Sequence, residues 1–326
     1  MQELTFGNSK PFAECVERAD RYSSHAWPLL ILGETGVGKE LIARRVHERS
    51  PRASHLFLPV NCAAIPGALF ESELFGYEKG AFSGATQSTR GIFRQAHLGT
   101  LFLDEVGELD LSLQGKLLRL LDSGEVRSVG ATRVESMDVR ILAATNIDLP
   151  HAVSKGKFRQ DLLERLSVLS LTLPPLRERR EDIVPIAQSL LKRLNARAEE
   201  GALMPLLEYE WPGNIRQLRN LLIRTTVMGD SIVSRPLILS VLAEERARRA
   251  GVAKRDNEVL QGSLAEIEKQ VIVEKLKQCH GNRKQTAEEL GIAKSTLHEK
   301  MRKWKEEGTQ FVQPLNRFCP MASLGG

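Results

Sequence analysis

Short apolar runs alternate with amphipathic stretches through the first half of the chain. Residues 11–22 carry apolar side chains at helical spacing and predict a short helix. The run Leu29-Leu30-Ile31-Leu32 is too short and too evenly apolar for a surface helix, and reads as a buried strand. Residues 41–46 (LIARRV) return to the helical period. Further strands are predicted over 55–61 (HLFLPVN), 99–105 (GTLFLDE) and 139–146 (VRILAATN), with a helix of high propensity over 112–121. Strands and helices in this alternation imply an α/β fold, a parallel sheet with helices on both faces. Ligands of such sheets sit at the carboxyl ends of the strands.

From residue 173 the pattern changes. Pro174 and Pro175 mark a boundary, residues from 182 onward are helical, Trp211-Pro212-Gly213-Asn214 is a turn, and 215–228 is another helix. The expectation is an α/β domain over 1–175 and a small helical domain over 176–243. Residues 244–263 (EERARRAGVAKRDNEVLQGS) are charged and lack aromatics, which predicts a linker. Helical patterns follow at 264–278, 283–290 and 294–305. The last two are separated by Gly291-Ile292-Ala293, which is helix-turn-helix spacing within a domain over 264–308. Residues 309–326 are expected to be a disordered tail.

The chemistry starts at the end of the first strand. Gly33, Glu34, Thr35, Gly36, Val37, Gly38, Lys39 and Glu40 spell GETGVGKE, which fits the phosphate-loop pattern. Backbone N–H groups of such a loop, with the N-terminus of the helix that follows, cradle phosphate oxygens, and Lys39 would reach the outer phosphates. Glu40 stands where the common pattern has a Ser or Thr hydroxyl on magnesium, so a decayed loop is the competing reading. Against decay, the third strand ends in Asp104-Glu105. Phosphate-loop enzymes need one acid there for magnesium and a second to polarise the attacking water. Asp104 fits the metal role and Glu105 the base. Asn146, at the end of the fourth strand, could hydrogen-bond the γ-phosphate or the water, or simply cap a helix. Arg159 and Arg165 lie six positions apart, off a common helical face, and read either as separate functional groups or as surface charge.

Two further stretches suggest partners. Gly80-Ala81-Phe82-Ser83-Gly84-Ala85 is small, flanked by glycine and centred on one aromatic, which suits a protruding loop tip with Phe82 as a contact residue. The helix over 294–305 holds five basic residues against one acid, and a basic helix in this position favours DNA recognition over a merely solvated face. Ser295, Thr296, His298 and Glu299 fall in its N-terminal half, where base edges are read. Lys284, Lys294, Lys300, Arg302 and Lys303 supply positive charge toward DNA phosphates.

Composition changes little. A net charge of +5 is weak evidence for nucleic acid by itself. Cys15, Cys62, Cys279 and Cys319 stand far apart without metal-ligand spacing and read as reduced thiols. With no apolar signal core and no run approaching a membrane span, the expectation is a cytoplasmic protein.

Taken together, the stretches GETGVGKE, VNCAAIP, ESELFGYEKGAFSGA, GTLFLDEVGEL, AATN, LPPLRERREDI and WPGNIRQLRN resemble the bacterial enhancer-binding proteins. These are AAA+ activators of sigma-54 RNA polymerase. The resemblance runs over about 4–242, and the C-terminal unit is similar to the family's Fis-like helix-turn-helix. It implies an AAA+ P-loop ATPase with a helical lid that takes ATP and Mg2+, binds enhancer DNA, and works as a ring, a hexamer, on the sigma-54 holoenzyme. Glu40 is usual in this family, which removes the case for decay. Asp104 and Glu105 resemble the Walker B acids, and Asn61 the residue that restrains Glu105 until subunits engage. Asn146 resembles the γ-phosphate sensor, Arg159 and Arg165 the paired fingers that complete a neighbour's site, and Arg216 the second sensor, in the lid. Residues 80–85 resemble the loop that touches sigma-54, usually GAFTGA, with Ser83 in place of Thr. Most relatives carry a receiver or ligand-sensing domain ahead of the ATPase. Here the resemblance begins almost at residue 1, so either a partner regulates in trans or the sequence is a fragment. The alternatives to this function are a DNA-binding regulator that keeps the ATPase fold as a sensing scaffold, and an AAA+ motor acting on an unrelated protein.

Overall fold

The computed structural model describes residue 7, residues 9–258 and residues 282–306, with 268–269, 272–273, 275–276 and 279 between them. It divides into two units, 1–242 and 243–326. The expected tail over 309–326, most of the helical pattern over 264–278 and the end of the expected linker lie outside the described residues.

Five parallel strands build the sheet of the first unit: β1 (Leu29–Leu32), β2 (Phe57–Asn61), β3 (Thr100–Asp104), β4 (Arg140–Thr145) and β5 (Leu169–Thr172), in the spatial order β2-β3-β4-β1-β5. The central strands are buried on both faces, which is why they read as unbroken apolar runs. Their side chains part to opposite sides with the period of two. Leu30, Leu101, Leu103, Ile141 and Ala143 pack with residues of the helices Gly67–Phe75, Leu111–Ser123 and Gln160–Leu166. Leu29, Ile31, Phe102, Leu142 and Ala144 pack with the helices Lys10–Ser23 and Lys39–Glu48. Arg140 is buried at the start of β4 and donates to the carbonyls of Tyr22 and Ser23, which anchors the end of the first helix to the sheet.

Apolar runs alone do not identify β5. Its sequence Leu-Ser-Leu-Thr alternates, with Ser170 and Thr172 exposed, because it lies at the edge of the sheet. The expected strand at 55–61 begins two residues later, and β3 stops at Asp104.

In the lid, Leu176, Ile183, Leu206, Trp211, Leu218 and Leu222 form a separate core. Trp211 is fully buried and satisfies its indole N–H on the Leu206 carbonyl at 2.8 Å. The helices are Ile183–Arg193, Asn214–Met228 and Arg235–Glu258. The last of these carries residues 244–258 of the expected linker as helix. A lack of aromatics removes core-forming side chains but not helix propensity, and Glu, Arg and Ala are strong helix formers.

In the second unit, the helices Arg283–Glu289 and Lys294–Glu306 flank a turn in which Gly291 adopts φ +64°, a conformation glycine takes without penalty. Leu297, Met301 and Trp304 recur at helical spacing and are buried with Ile272, Leu276 and Ala287.

Candidate nucleotide site and interaction surfaces

The phosphate loop leaves the carboxyl end of β1 and enters the helix Lys39–Glu48, whose first-turn N–H groups have no partner within the helix. Gly36 has φ +76°, and a Cβ there would lie 2.5 Å from the Gly213 carbonyl oxygen and 2.9 Å from Arg216 Cβ. Glycine is therefore required by the lid as well as by the turn. Lys39 is only 7 % exposed, and its ammonium donates to the carbonyls of Gly33 at 2.8 Å and Glu34 at 3.3 Å.

Asp104 ends β3 beside Asn61 of β2, its register partner. Glu105 follows in the left-handed region at φ +56°, outside the strand, and its N–H donates to Asp104 Oδ1 at 3.1 Å. That turn takes Glu105 off the alternation of the strand. Burial pushes both carboxyls above the ordinary carboxylate range, and Lys39 opposes the shift in each. Burial likewise lowers Lys39, against the pull of Glu105 and Asp104. Arg216 acts on all three charges. The structure thus brings Lys39, Asp104, Glu105 and Arg216 into one electrostatic group at the strand ends.

Asn146 donates its amide to Thr35 Oγ1 at 3.0 Å and so belongs to the same site. Asn61 is turned into its own loop, where Oδ1 accepts the Ala63 N–H at 2.9 Å. Glu40 is exposed on the outer side of its helix, 3.2 Å from Arg44, yet its charge is felt at Asp104. Arg159 is not helical. It precedes the helix Gln160–Leu166 and holds Asp161 with two bonds, at 3.0 and 2.7 Å, while Arg165 pairs with Asp122 at 2.6 Å. Both arginines are exposed, and neither is among the charges acting on Asp104 or Glu105 of the same chain.

Residues missed from sequence complete the site. Arg177 holds Glu34 with two bonds, Asn214 bonds Glu34 and Thr35, and Arg179 donates to the Val37 carbonyl at 2.8 Å with its guanidinium 4.3 Å from the centre of the Phe12 ring. All three lie in the LPPLRERREDI and WPGNIRQLRN stretches, so the signal was present without a role attached to it. Phe12, Val37, Leu41, Arg179, Leu190 and Ile215 line a small, mainly apolar cleft beside the loop.

The loop at 80–85 sits on a two-residue antiparallel ladder, Gly76–Tyr77 with Thr89–Arg90. Gly80 N–H closes it on the Ala85 carbonyl at 2.9 Å, and Ala85 is buried. Phe82 is 46 % exposed and leans on the Tyr77 ring, 5.0 Å between centroids. Ser83 and Gly84 are exposed at the tip, and Ala81 is half-buried.

On the helix Lys294–Glu306, the residues Lys294, Ser295, His298, Glu299, Arg302 and Lys303 are exposed, opposite the buried Leu297, Met301 and Trp304. Thr296 is half-buried, and Lys300 is drawn into an ion pair with Glu268 at 2.7 Å. Lys284 lies on the preceding helix.

Comparison with known proteins gives the family and its domains. A Sigma-54 interaction domain model matches residues 5–172, an AAA+ ATPase lid domain model 177–254, and a model for bacterial regulatory proteins of the Fis family 263–304. The lid match passes the expected boundary at 243, as does the helix Arg235–Glu258. The chain is 43% identical over 293 residues to the regulatory protein AtoC of Escherichia coli, covering 85% of this chain and 62% of AtoC. It is 41% identical to the nitrogen fixation protein AnfA of Azotobacter vinelandii, covering 91% of this chain and 57% of AnfA. A crystal structure of NtrX from Brucella abortus with ATP superposes with a TM-score of 0.65 at 31% identity, covering 91% of this chain and 68% of NtrX. No helix among the described residues is long and apolar enough to cross a membrane.

Proposed function

From a chain that belongs to the sigma-54 enhancer-binding activators, with an AAA+ ATPase domain, its lid and a Fis-type helix-turn-helix, we propose ATP-driven remodelling of a promoter complex. In this reading the protein binds enhancer DNA, assembles head to tail into a hexameric ring, and uses ATP hydrolysis to open the closed complex of sigma-54 polymerase. The observation that carries it is the gathering of Lys39, Asp104, Glu105 and Arg216 at the strand ends, in a unit that also presents an exposed aromatic loop.

The residues fit ATP. Lys39 now bonds two loop carbonyls and would exchange them for phosphate oxygens. Among the described residues no three His, Cys, Asp or Glu side chains converge to hold a metal unaided. Asp104 would therefore hold Mg2+ jointly with the phosphates, with Glu40 adding negative charge nearby. Bound magnesium would neutralise phosphate charge. Glu105 orients and deprotonates the attacking water, and Asn146 and Arg216 contact the outer phosphates. Asn61, one strand over from Glu105, would leave the Ala63 N–H to restrain it until a neighbour engages. Arg159 and Arg165, which are not among the charges acting on Asp104 or Glu105 of their own chain, complete the neighbour's site, which makes hydrolysis depend on assembly. Residues 80–85 pass the motion to sigma-54. Exposed Lys294, Arg302 and Lys303, with Lys284, meet DNA phosphates while Ser295, His298 and Glu299 reach base edges. A regulator acting in trans is compatible with this scheme.

The test is open-complex formation at a sigma-54 promoter with purified polymerase, comparing ATP with a non-hydrolysable analogue. Opening with ATP alone supports the proposal. ATP turnover without opening would assign the motor another substrate, and no turnover in the presence of enhancer DNA would favour a sensing scaffold.

A further inference from the structure

The phosphate loop is bonded to the lid through three consecutive residues. Glu34 takes both arms of the Arg177 guanidinium, at 2.7 and 3.0 Å. Asn214 divides its side-chain N–H groups between the Glu34 carboxylate at 3.0 Å and the Thr35 carbonyl at 3.2 Å. Its Oδ1 accepts the Leu176 N–H at 2.7 Å. Ile215 N–H donates to the Gly36 carbonyl at 3.0 Å. Asn214 is fully buried and held at φ +49°, a backbone state in which asparagine and glycine are the residues most readily found.

None of the three side-chain bonds of Asn214 goes to its own helix. They run to the phosphate loop and to Leu176, where the lid begins. Two residues further along the same first turn stands Arg216, whose charge acts on Lys39, Asp104 and Glu105. Thr35 is shared, since its carbonyl accepts from Asn214 and its hydroxyl from Asn146. The loop is therefore bonded to the lid through Asn214 and to the β4 end through Asn146.

We propose that Asn214 is a positioning residue that ties the first turn of the lid helix to the phosphate loop and so holds Arg216 over the nucleotide phosphates, with Glu34 and Arg177 fixing its orientation. The proposal rests on the ATPase reading of the site. Its role differs from packing because it acts through Arg216, and that dependence can be measured.

The experiment is a double-mutant cycle on the full chain, read as equilibrium binding of a fluorescent ATP analogue with Mg2+ and as kcat and KM for ATP. Asn214→Gly keeps the positive φ while deleting the side chain. Alone it should weaken nucleotide binding about tenfold, the scale of one hydrogen bond to a charged group. In an Arg216→Ala background the same change should cost less than about twofold, because coupled residues do not add. Glu34→Gln, which keeps the shape and removes the charge, should show the same dependence on Arg216 and serves if Asn214→Gly melts early. Wild-type binding by Asn214→Gly, or losses that multiply with Arg216→Ala, would overturn the proposal. Failure of the unmutated chain to bind the analogue would overturn the ATPase reading, and this inference with it.

Discussion

The side-chain amide of Asn146 donates to the Thr35 hydroxyl at 3.0 Å, joining the end of β4 to the middle of the phosphate loop. The two segments follow adjacent parallel strands in which Leu32 is paired with Thr145. A phosphate oxygen in the loop would compete for that amide, so this is a bond that nucleotide can exchange. Asn146→Ala should lower ATP turnover by about a hundredfold, the effect of removing one preorganised donor, with a much smaller change in binding. Steady-state hydrolysis measured beside equilibrium binding checks this. Equal losses in both would make Asn146 a binding group only.

Arg159 and Arg165 are exposed and bonded to acids of their own surface rather than to the Asp104 and Glu105 group. Arg159→Ala or Arg165→Ala should abolish hydrolysis, a loss of about 10³–10⁵, while leaving ATP binding nearly intact. Mixing either variant with Glu105→Gln subunits should restore part of the activity, because each supplies what the other lacks at a shared site. Full turnover by one variant removes that residue from the role.

Phe82 leans on Tyr77 with about half its surface open, and Ser83 beside it is exposed. Phe82→Ala should depress open-complex formation far more than ATP turnover. Ser83→Thr restores a methyl whose burial contributes about 0.8 kcal/mol, which corresponds to about fourfold stronger engagement of sigma-54. Polymerase-binding assays with both variants decide whether the loop acts in contact or only in support of the fold.

His47 is 5 % exposed, with Nδ1 2.9 Å from Thr100 Oγ1. Burial pushes its imidazole below the ordinary value, a bond to the His55 backbone and the charge of Glu48 oppose this, and Arg140 and Arg44 reinforce it. The unfolded chain therefore takes up a proton near pH ~6.5, and the folded chain only at lower pH. Between those values the unfolded state holds more protons, so stability rises with pH. The contribution is fully present above about 6.5 and is lost as pH falls toward the folded value. Asn reproduces the position of Nδ1 without titrating, so His47→Asn should flatten this part of the curve. Denaturant midpoints between about pH 7 and 5 measure it, and an unchanged slope would assign it to other groups.

Much of the fold could be read along the chain because its signals are local. Burial of β1, β3 and β4 on both faces leaves apolar runs, and the phosphate loop, the Asp104-Glu105 pair and the helix-turn-helix are spacings within one or two elements. Those features determined the α/β class and placed the candidate nucleotide site at the strand ends. Edge strand β5 carries only half an apolar pattern and was settled by its pairing with β1, whereas the helix through 244–258 has the composition of a linker and follows its local helix propensity.

The lid connections belong wholly to the tertiary structure. Glu34 meets Arg177 across 143 positions and Asn214 across 180, and no local period marks a partner so distant. Glu105 reads in sequence as the last residue of a strand, and only the left-handed turn after Asp104 takes it out of the strand alternation beside Lys39. The sequence determined which groups the protein has for handling phosphate. Packing of the lid on the loop decided which of them act together, because a hydrogen bond depends on distances that only the folded chain sets.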